Sequence, residues 1–326
     1  MNNTTDQKNL IDIPIGEAFG IVTAANATIK GMPAGHPYAP KRKDYVFQRD
    51  VFRDMMAFWL SDERALKIQG DPATGKTSLV EQFHARLNMP LMIVSCNQSM
   101  EAYQLYGQLI PNEDGKLRWQ DGPVVKAARN GWSVLLDEYN TLDPNVATSL
   151  NALLEGYSVT IPETGEVISP HANFRVFATE NPVTSQLVVT GRNVMDVANA
   201  DRWMVIEVDY LPKDIETGVV ERHIAETNKD VKQAGLVATI LVETATQIRA
   251  AFRDGKGLID KPISLRTLIR WARLLRMYRA VDGRPVAGTI SGATMAAALS
   301  RSFSCSSKEM QAEVARKLTG VIGSDV

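Results

Sequence analysis

Residues 70–77 are the segment of this sequence whose residue types and spacing are most specific for a chemical task. They read Gly-Asp-Pro-Ala-Thr-Gly-Lys-Thr and match the pattern G-x-x-x-x-G-K-[ST] at every fixed position. Glycines in such a loop let successive backbone N–H groups turn toward phosphate oxygens. Lys76 would reach the β- and γ-phosphates, and the Thr77 hydroxyl would coordinate Mg²⁺. The segment therefore predicts a site for a nucleoside triphosphate with Mg²⁺.

Two adjacent carboxylates, Asp137 and Glu138, follow the apolar run Val134–Leu136. Asp137, at the tip of a buried strand, can hold the Mg²⁺ shell through water. Glu138 can orient and deprotonate an attacking water. Taken in isolation, the pair fits a solvated acidic turn better than a catalytic site. Its place about 60 residues after a phosphate loop favours a role in hydrolysis.

Asn181 is a third candidate, because it follows another apolar run, Phe174–Ala178. An asparagine just past a buried strand can touch both the γ-phosphate and the attacking water. Asn181-Pro182 is also an ordinary turn signal, so the order of the surrounding elements has to decide. The predicted nucleotide-binding residues are Gly70, Asp71, Pro72, Ala73, Thr74, Gly75, Lys76, Thr77, Ser78 and Asp137, with Thr77 and Asp137 as the Mg²⁺ residues.

The apolar pattern predicts the strands and helices that hold these residues. Short apolar runs alternate with amphipathic helices, which is typical of a parallel sheet covered on both faces. The predicted helix after the phosphate loop spans 76–87. The predicted strands span 65–69, 91–95, 133–136, 174–178 and 204–208. The fold class expected is α/β: a phosphate-loop αβα sandwich with a five-stranded parallel sheet.

The chain divides into three predicted parts. Residues 1–45 are rich in glycine and proline, which favour an extended arm. Residues 46–210 carry the alternating strands and helices, and 211–326 form an all-helical domain. Its predicted helices span 213–228, 232–253, 264–281 and 287–319.

Composition excludes several classes of protein. The 326 residues carry a formal net charge of −1, so bulk charge does not favour nucleic acid. Two cysteines are too few for a disulfide scaffold, and the four histidines show no metal-ligand spacing. The amino terminus lacks a signal-peptide pattern, and no apolar stretch is long enough to span a membrane. These features indicate a cytoplasmic protein with no membrane partner.

Taken together, the motifs resemble the MoxR-type branch of the AAA+ ATPases and, within it, the cobaltochelatase small subunits (CobS-like). Phosphate loop, acidic strand, asparagine-tipped strand and helical domain occur in that family's order. More specific matches are Ala18-Phe19-Gly20-Ile21, Asp137-Glu138-Tyr139, Pro144-Asn145-Val146, Asp201-Arg202-Trp203, 210–214 and 265–271. The resemblance implies an ATP hydrolase with ATP and Mg²⁺, in which an all-helical lid follows the nucleotide-binding domain.

The resemblance also implies an oligomer, usually a hexameric ring with ATP bound between subunits. Arg202 resembles the arginine finger that reaches a neighbour's γ-phosphate, and Arg266 resembles the sensor arginine of the second domain. Asn181 matches the sensor 1 position. The alternatives are a surface salt bridge of Arg202 with Asp201 or Glu207, and a solvated helix face for Arg266.

The implied partner is a protein with a von Willebrand factor A domain, or a chelatase subunit. Residues 107–122 and 159–168 are predicted hairpins of the kind that faces the ring pore or the partner in this family, or that is merely structural. Other hypotheses are the motor subunit of an aerobic cobaltochelatase, a nucleic-acid-directed AAA+ machine, and a nucleotide-gated scaffold. Nucleic acid is not the expected partner, because no stacking aromatics alternate with the basic residues of 261–280 in a strand pattern.

Overall fold

In a computed structural model, residues 10–24, 26–181, 197–229, 231–255, 257–281 and 289–324 are described. The strands are β1 (Ile11–Pro14), β2 (Thr28–Gly31), β3 (Ala65–Gln69), β4 (Leu91–Ser95), β5 (Gly107–Pro111), β6 (Leu117–Asp121), β7 (Ser133–Asp137), β8 (Val159–Thr160), β9 (Val167–Ile168), β10 (Arg175–Glu180) and β11 (Met204–Glu207). The helices are α1 (Ile15–Phe19), α2 (Arg49–Leu60), α3 (Lys76–Leu87), α4 (Ala102–Tyr106), α5 (Pro123–Asn130), α6 (Pro144–Ser149), α7 (Asn151–Leu154), α8 (Val197–Ala200), α9 (Lys213–Thr227), α10 (Ala234–Asp254), α11 (Leu265–Val281), α12 (Gly292–Ser302) and α13 (Lys308–Ser324).

The central sheet contains the five predicted strands in the order β11-β3-β10-β7-β4, and each neighbouring pair is parallel. The register aligns Ala178 with Lys67 of β3 and with Leu136 of β7. Parallel strands share their carboxyl edge, so the segments that follow β3, β7 and β10 emerge side by side. The predicted α/β fold class is confirmed.

Both faces of this sheet are buried, as continuous apolar runs predict for parallel strands. Val134 and Leu136 point to one core, with helices α5 to α7, while Leu135 points to the other, with helices α1 to α3. This alternation follows from the two-residue period of a strand. The layers form the predicted αβα sandwich.

The glycine- and proline-rich amino-terminal segment is more ordered than the predicted extended path. Strands β1 and β2 pair antiparallel, and α1 lies between them. Phe19 of α1 is buried, with its ring centroid 4.7 Å from that of Phe52 and 5.4 Å from that of Phe83. Burial of this aromatic ring outweighs the weak local helix propensity around it.

After Val208 the described residues form five helices, α9 to α13, joined by turns and short loops. The single helix predicted over 287–319 was wrong, because α12 ends at Ser302 and α13 begins at Lys308. The intervening serines explain the break: the Ser307 hydroxyl accepts a hydrogen bond from the Met310 N–H at 3.1 Å. A serine that caps a new helix in this way stabilises a second start rather than continuation.

Two compact units are distinguished by their internal contacts. One comprises the described residues up to Asp71 together with Gly75–Val208, and the other comprises Pro72–Thr74 and the residues from Asp209 onward. Both predicted hairpins are present in the first unit, as β5 with β6 and β8 with β9. None of the described helices is both long and apolar enough to cross a membrane.

Stability of the first unit should fall in mild acid because of His84 on α3. Its side chain is fully buried, and this burial lowers its pKa from 6.5 to about 4. Below pH 6.5 His84 is therefore protonated in the unfolded chain, whereas in the folded chain it stays neutral down to about pH 4. Stability contributed by neutral His84 is present above pH 6.5 and is lost as the pH falls toward 4, by about 3 kcal/mol in all.

This expectation can be checked by denaturant unfolding of wild type and His84→Gln between pH 7 and pH 4. The variant should show a shallower fall in the free energy of unfolding over that range, whatever its stability at pH 7. Equal slopes for the two proteins would contradict the assignment.

Candidate functional site

The phosphate loop joins the end of β3 to the start of α3, as its motif requires. Gly75 has φ 94° and Ala73 has φ 70°, both in the left-handed region. A glycine adopts this conformation at little cost, whereas an alanine there is strained. Among the described residues no side chain caps the first turn of α3. The backbone N–H groups of that turn are thus positioned for an anion, which the positive end of the helix dipole favours.

Lys76 is buried, and its ammonium group is held among oxygen atoms at the carboxyl edge of the sheet. It donates to the carbonyls of Gly70 and Asp71, both at 2.8 Å, and to Asn181 Oδ1 at 2.7 Å. The structure thus brings two residues predicted separately, Lys76 and Asn181, into direct contact. A buried cation among carbonyl oxygens fits a site that receives phosphate.

Asp137 lies at the end of β7, beside the first turn of α3. Its Oδ1 atom accepts hydrogen bonds from Thr77 Oγ1 at 2.7 Å and from Thr179 Oγ1 at 2.6 Å. Hydroxyl and carboxylate oxygens at this spacing are ligands suited to Mg²⁺, which usually completes its shell with water and substrate phosphate. The donor set therefore fits the predicted metal. The described residues contain no cluster of three or more His, Cys, Asp or Glu that could hold a metal without such help.

Glu138 has an exposed side chain and a left-handed backbone, with φ 59° and ψ 42°. This conformation is uncommon for a residue with a Cβ atom and occurs preferentially at functional sites. Two threonines hold it: the Glu138 N–H donates to Thr179 Oγ1 at 3.0 Å, and Thr141 Oγ1 donates to the Glu138 carbonyl at 2.8 Å. The turn directs the chain away from β7 at the point where Asp137 ends the strand.

Cys96 lies beside the acidic pair with its thiol buried, and its backbone N–H donates to the Asp137 carbonyl at 2.8 Å. Burial raises the pKa of this thiol to about 12, and the nearby carboxylates of Asp137 and Glu138 add to the increase. Cys96 is therefore a protonated packing residue at neutral pH. It offers no thiolate for metal binding or nucleophilic attack.

Asn181 is buried just beyond β10, and its backbone is fixed as well as its side chain. The Asn140 side chain donates to the Asn181 carbonyl at 2.9 Å. Asn140 follows the acidic pair by two residues, so the segments after β7 and β10 are tied together. Pro182, the other half of the predicted turn signal, lies outside the described residues.

Arg202 lies at the amino-terminal ends of the parallel strands, the opposite edge of the sheet from these residues. It precedes β11, whose Met204 is in register with Leu66 near the start of β3. Its Nε atom is 2.6 Å from Glu155 Oε1. This carboxylate is neither of the two, Asp201 and Glu207, that the alternative hypothesis named. Arg202 and Glu155 line a surface pocket of about 440 Å³ together with Asp62, Glu63, Arg64, Leu154 and Asp201.

The other predicted residues are placed as follows. Ser78 lies in the first turn of α3, and Asp71 is partly buried in the loop. Arg266 lies in the second unit, where it is an exposed residue near the start of α11. Its proposed sensor role remains a prediction.

Sequence reasoning missed three contributions to the site. Thr179 bonds to Asp137 and to the Glu138 N–H, and Asn140 bonds to Asn181. Lys67, in the middle of β3, is buried with its Nζ atom 3.5 Å from Glu180 Oε2. A lysine inside an otherwise apolar strand was the available signal for this last pair, because a buried charge requires a partner. Thr179, near the end of β10, and Asn140, just after β7, carried no signal beyond their place at the end of a strand.

Two family models match the chain. Residues 65–202 match the family described as "AAA domain (dynein-related subfamily)", and residues 221–318 match "CbbQ/NirQ/NorQ C-terminal". The first match contains the phosphate loop, the acidic pair, Asn181 and Arg202. The second lies within the helical residues that follow Val208.

Individual relatives are similar over different lengths. The chain is 29% identical over 284 residues to aerobic cobaltochelatase subunit CobS of Sinorhizobium sp, covering 84% of this chain and 83% of CobS. It is 31% identical over 214 residues to midasin of Dictyostelium discoideum, covering 65% of this chain but 4% of midasin. The crystal structure of NtrX from Brucella abortus has a TM-score of 0.55 at 13% identity, covering 85% of this chain and 59% of that one. This last likeness concerns the fold alone.

Proposed function

The chain belongs to the MoxR-type AAA+ ATPases, and from that premise we propose that its copies form a ring in which ATP hydrolysis remodels a partner protein. Members of this family hydrolyse ATP, so this chain is an ATP hydrolase. The ring, the partner and the individual residue roles are what the proposal adds.

One observation supports the ring. Arg202 and the phosphate loop lie at opposite edges of the same sheet, Arg202 at the amino-terminal ends of the parallel strands and the loop at their carboxyl ends. The five residues of β3 separate the two edges, and at about 3.3 Å per residue they span about 16 Å. Within its own αβα unit, Arg202 is therefore remote from the phosphate loop. An arginine that serves catalysis from there must act on another copy, and a head-to-tail contact repeated between identical copies gives a ring when its rotation closes. We adopt six subunits from the family resemblance.

The residues within one subunit divide the chemistry among them. Lys76 and the N–H groups that begin α3 bind the phosphates, and Thr77 with Asp137 would hold Mg²⁺, which supplies charge neutralisation at the phosphate oxygens. Glu138, exposed at the strand tip, takes the proton of the attacking water. Asn181, hydrogen-bonded to Lys76, orients that water and the ammonium group together. Arg202 of the neighbouring subunit stabilises the negative charge that develops in the transition state.

The first hairpin offers a surface for the partner. Leu109 of β5 and Leu117 of β6 are 40% and 65% exposed, and the register places them on the same face as Trp119. CobS is named as one subunit of a larger enzyme, and we propose that this chain likewise works with a second protein. A von Willebrand factor A domain is the partner that the family resemblance implies.

The ring is tested by measuring the mass of Glu138→Gln in solution by light scattering, with and without ATP and Mg²⁺. A mass of six protomers with ATP supports the proposal, and a monomer at micromolar concentration under all conditions contradicts it. Proteins that are captured by this variant with ATP, and are not captured by Lys76→Ala, would identify the remodelled protein. Captured chelatase subunits would favour the cobaltochelatase alternative, whereas DNA- or RNA-stimulated turnover would favour a nucleic-acid-directed machine.

Lys76→Ala should lower ATP affinity by at least about 10²-fold, because charge-assisted hydrogen bonds to phosphate are each worth roughly 1.5–3 kcal/mol. Isothermal titration calorimetry measures this directly. Lys116→Ala, which removes an exposed lysine before β6, should bind ATP as wild type does. Unchanged affinity in Lys76→Ala would exclude this loop as the phosphate site.

A further inference from the structure

A buried hydrogen-bonded network lies between the acidic pair and the segment that carries Arg202. The Tyr139 hydroxyl donates to Asn199 Oδ1 at 3.3 Å, and Asn199 Nδ2 lies 3.1 Å from the same hydroxyl. Asn199 Nδ2 also donates to Asn151 Oδ1 at 2.9 Å. Tyr139 is fully buried and Asn199 is 4% exposed. Polar groups at this depth are costly unless they are bonded, so these contacts fix the position of the asparagine.

Helix α7 contacts the Arg202 segment at two points that are one helical turn apart. Asn151, at its start, bonds Asn199, and Glu155, just past its end, pairs with Arg202. The Arg202 N–H also donates to the Asn199 carbonyl at 3.3 Å. The backbone and the guanidinium of Arg202 are therefore both held by groups that depend on α7 and Asn199.

The other end of the network is attached to the nucleotide site. Tyr139 directly follows Glu138, whose strained backbone is held by a hydrogen bond to Thr179. The Thr179 hydroxyl in turn donates a hydrogen bond to Asp137. The Tyr139 ring also packs against Trp203, next to Arg202 in the chain, with centroids 5.1 Å apart. Tyr139 thus contacts the Arg202 segment in two ways, by its ring and by its hydroxyl.

We propose that the Tyr139–Asn199–Asn151 network is a positioning device for Arg202, through which each subunit sets the arginine that it presents to its neighbour. Tyr139 and Asn199 are positioning residues: they touch no substrate and act through Arg202. This inference rests on the proposed role of Arg202 in the neighbouring site. A tyrosine hydroxyl that served only packing would have no effect specific to that arginine.

A double-mutant cycle separates the two roles. Tyr139→Phe keeps the ring against Trp203 and removes the hydroxyl. In the wild-type background it should lower kcat about 10-fold, the effect of one buried hydrogen bond on a positioned group, with ATP affinity unchanged. In the Arg202→Ala background, measured in single turnovers with radiolabelled ATP, the same substitution should change the rate by less than about 2-fold, since the group it positions is absent.

Two further variants complete the design. Asn151→Ala removes the α7 side of the network and should give the same background-dependent loss, so the inference does not depend on Tyr139→Phe alone. Tyr106→Phe is the matched control: it removes a hydroxyl that donates to the Ser149 carbonyl at 2.6 Å in the same unit. It should leave kcat unchanged in both backgrounds.

Each result supports or overturns the inference. An equal loss in both backgrounds means that Tyr139 acts through Glu138 or through stability, and the positioning role is then excluded. No loss of kcat in the wild-type background excludes it too. If Arg202→Ala alone turns over ATP at the wild-type rate, the proposed arginine finger fails and this inference fails with it. An inactive Arg202→Ala with an additive cycle removes only the inference.

Discussion

Arg202→Ala is expected to bind ATP almost normally and to hydrolyse it roughly 10³- to 10⁵-fold more slowly than wild type. Binding persists because the phosphate loop of each subunit is intact and lies at the other edge of the sheet. Turnover is lost because the charge that develops on the γ-phosphate oxygens is no longer compensated by the neighbour. Calorimetry and a steady-state ATPase assay measure the two quantities. Arg53→Ala, which removes an exposed arginine on α2, should behave as wild type.

Mixing subunits tests whether the arginine acts in trans. Lys76→Ala binds ATP too weakly for turnover and Arg202→Ala cannot complete its neighbour's site, so each ring is inactive alone. Where a Lys76→Ala subunit presents Arg202 to the intact loop of an Arg202→Ala subunit, a complete site forms again. Recovery of part of the activity on mixing is the expected result.

Two outcomes would speak against this assignment. Full activity of Arg202→Ala by itself would exclude the arginine as the finger. Absence of recovery in rings shown to be mixed means that Arg202 is not the finger or that every site in a ring must be complete. Rings doped with small amounts of Arg202→Ala then distinguish these cases, because a strict requirement makes inhibition steeper than linear.

Glu138→Gln should bind ATP as wild type does and hydrolyse it at least about 10²-fold more slowly, the usual contribution of a positioned general base. The amide keeps the size of the side chain and cannot take a proton from water. The bonds from the Glu138 N–H to Thr179 and from Thr141 to the Glu138 carbonyl involve the backbone and remain possible in the variant. Single-turnover hydrolysis under saturating ATP measures the loss.

The control for this experiment is Glu163→Gln, which changes an exposed carboxylate in the second hairpin and should leave turnover unchanged. Near wild-type hydrolysis by Glu138→Gln would show that another group takes the proton. The phosphate loop would be unaffected by that result, because Lys76→Ala tests it independently.

Much of the site is determined by contiguous sequence. The loop of 70–77 contains its own glycines, lysine and threonine, and it opens a helix that begins at Lys76 as predicted. Asp137 and Glu138 are placed by the strand that they end, because they directly follow its buried apolar run, Val134–Leu136. Such features depend on neighbours in the chain, so a single sequence reveals them.

Which of these segments meet depends on how the chain folds as a whole. The apolar runs predict buried strands but not the order β11-β3-β10-β7-β4, which depends on pairings between residues up to about 140 positions apart. That order places Asn181 against Lys76, and it places Thr179 against Asp137. Neither partner of such a bond carries a signal for the other, because a polar residue at or just after the end of a strand is equally common beside an ordinary turn.

The same limit explains the remaining differences. Lys67 and Glu180 are 113 residues apart and become a buried pair only because β3 and β10 are adjacent. The apolar pattern is enough to predict that Arg202 precedes the last strand of the sheet. Because that strand runs parallel to β3, the arginine before it lies at the amino-terminal ends of the strands, remote from its own phosphate loop at their carboxyl ends. Local chemistry is written in consecutive residues, whereas the direction and order of strands follow from burying both faces of one sheet, to which the whole chain contributes.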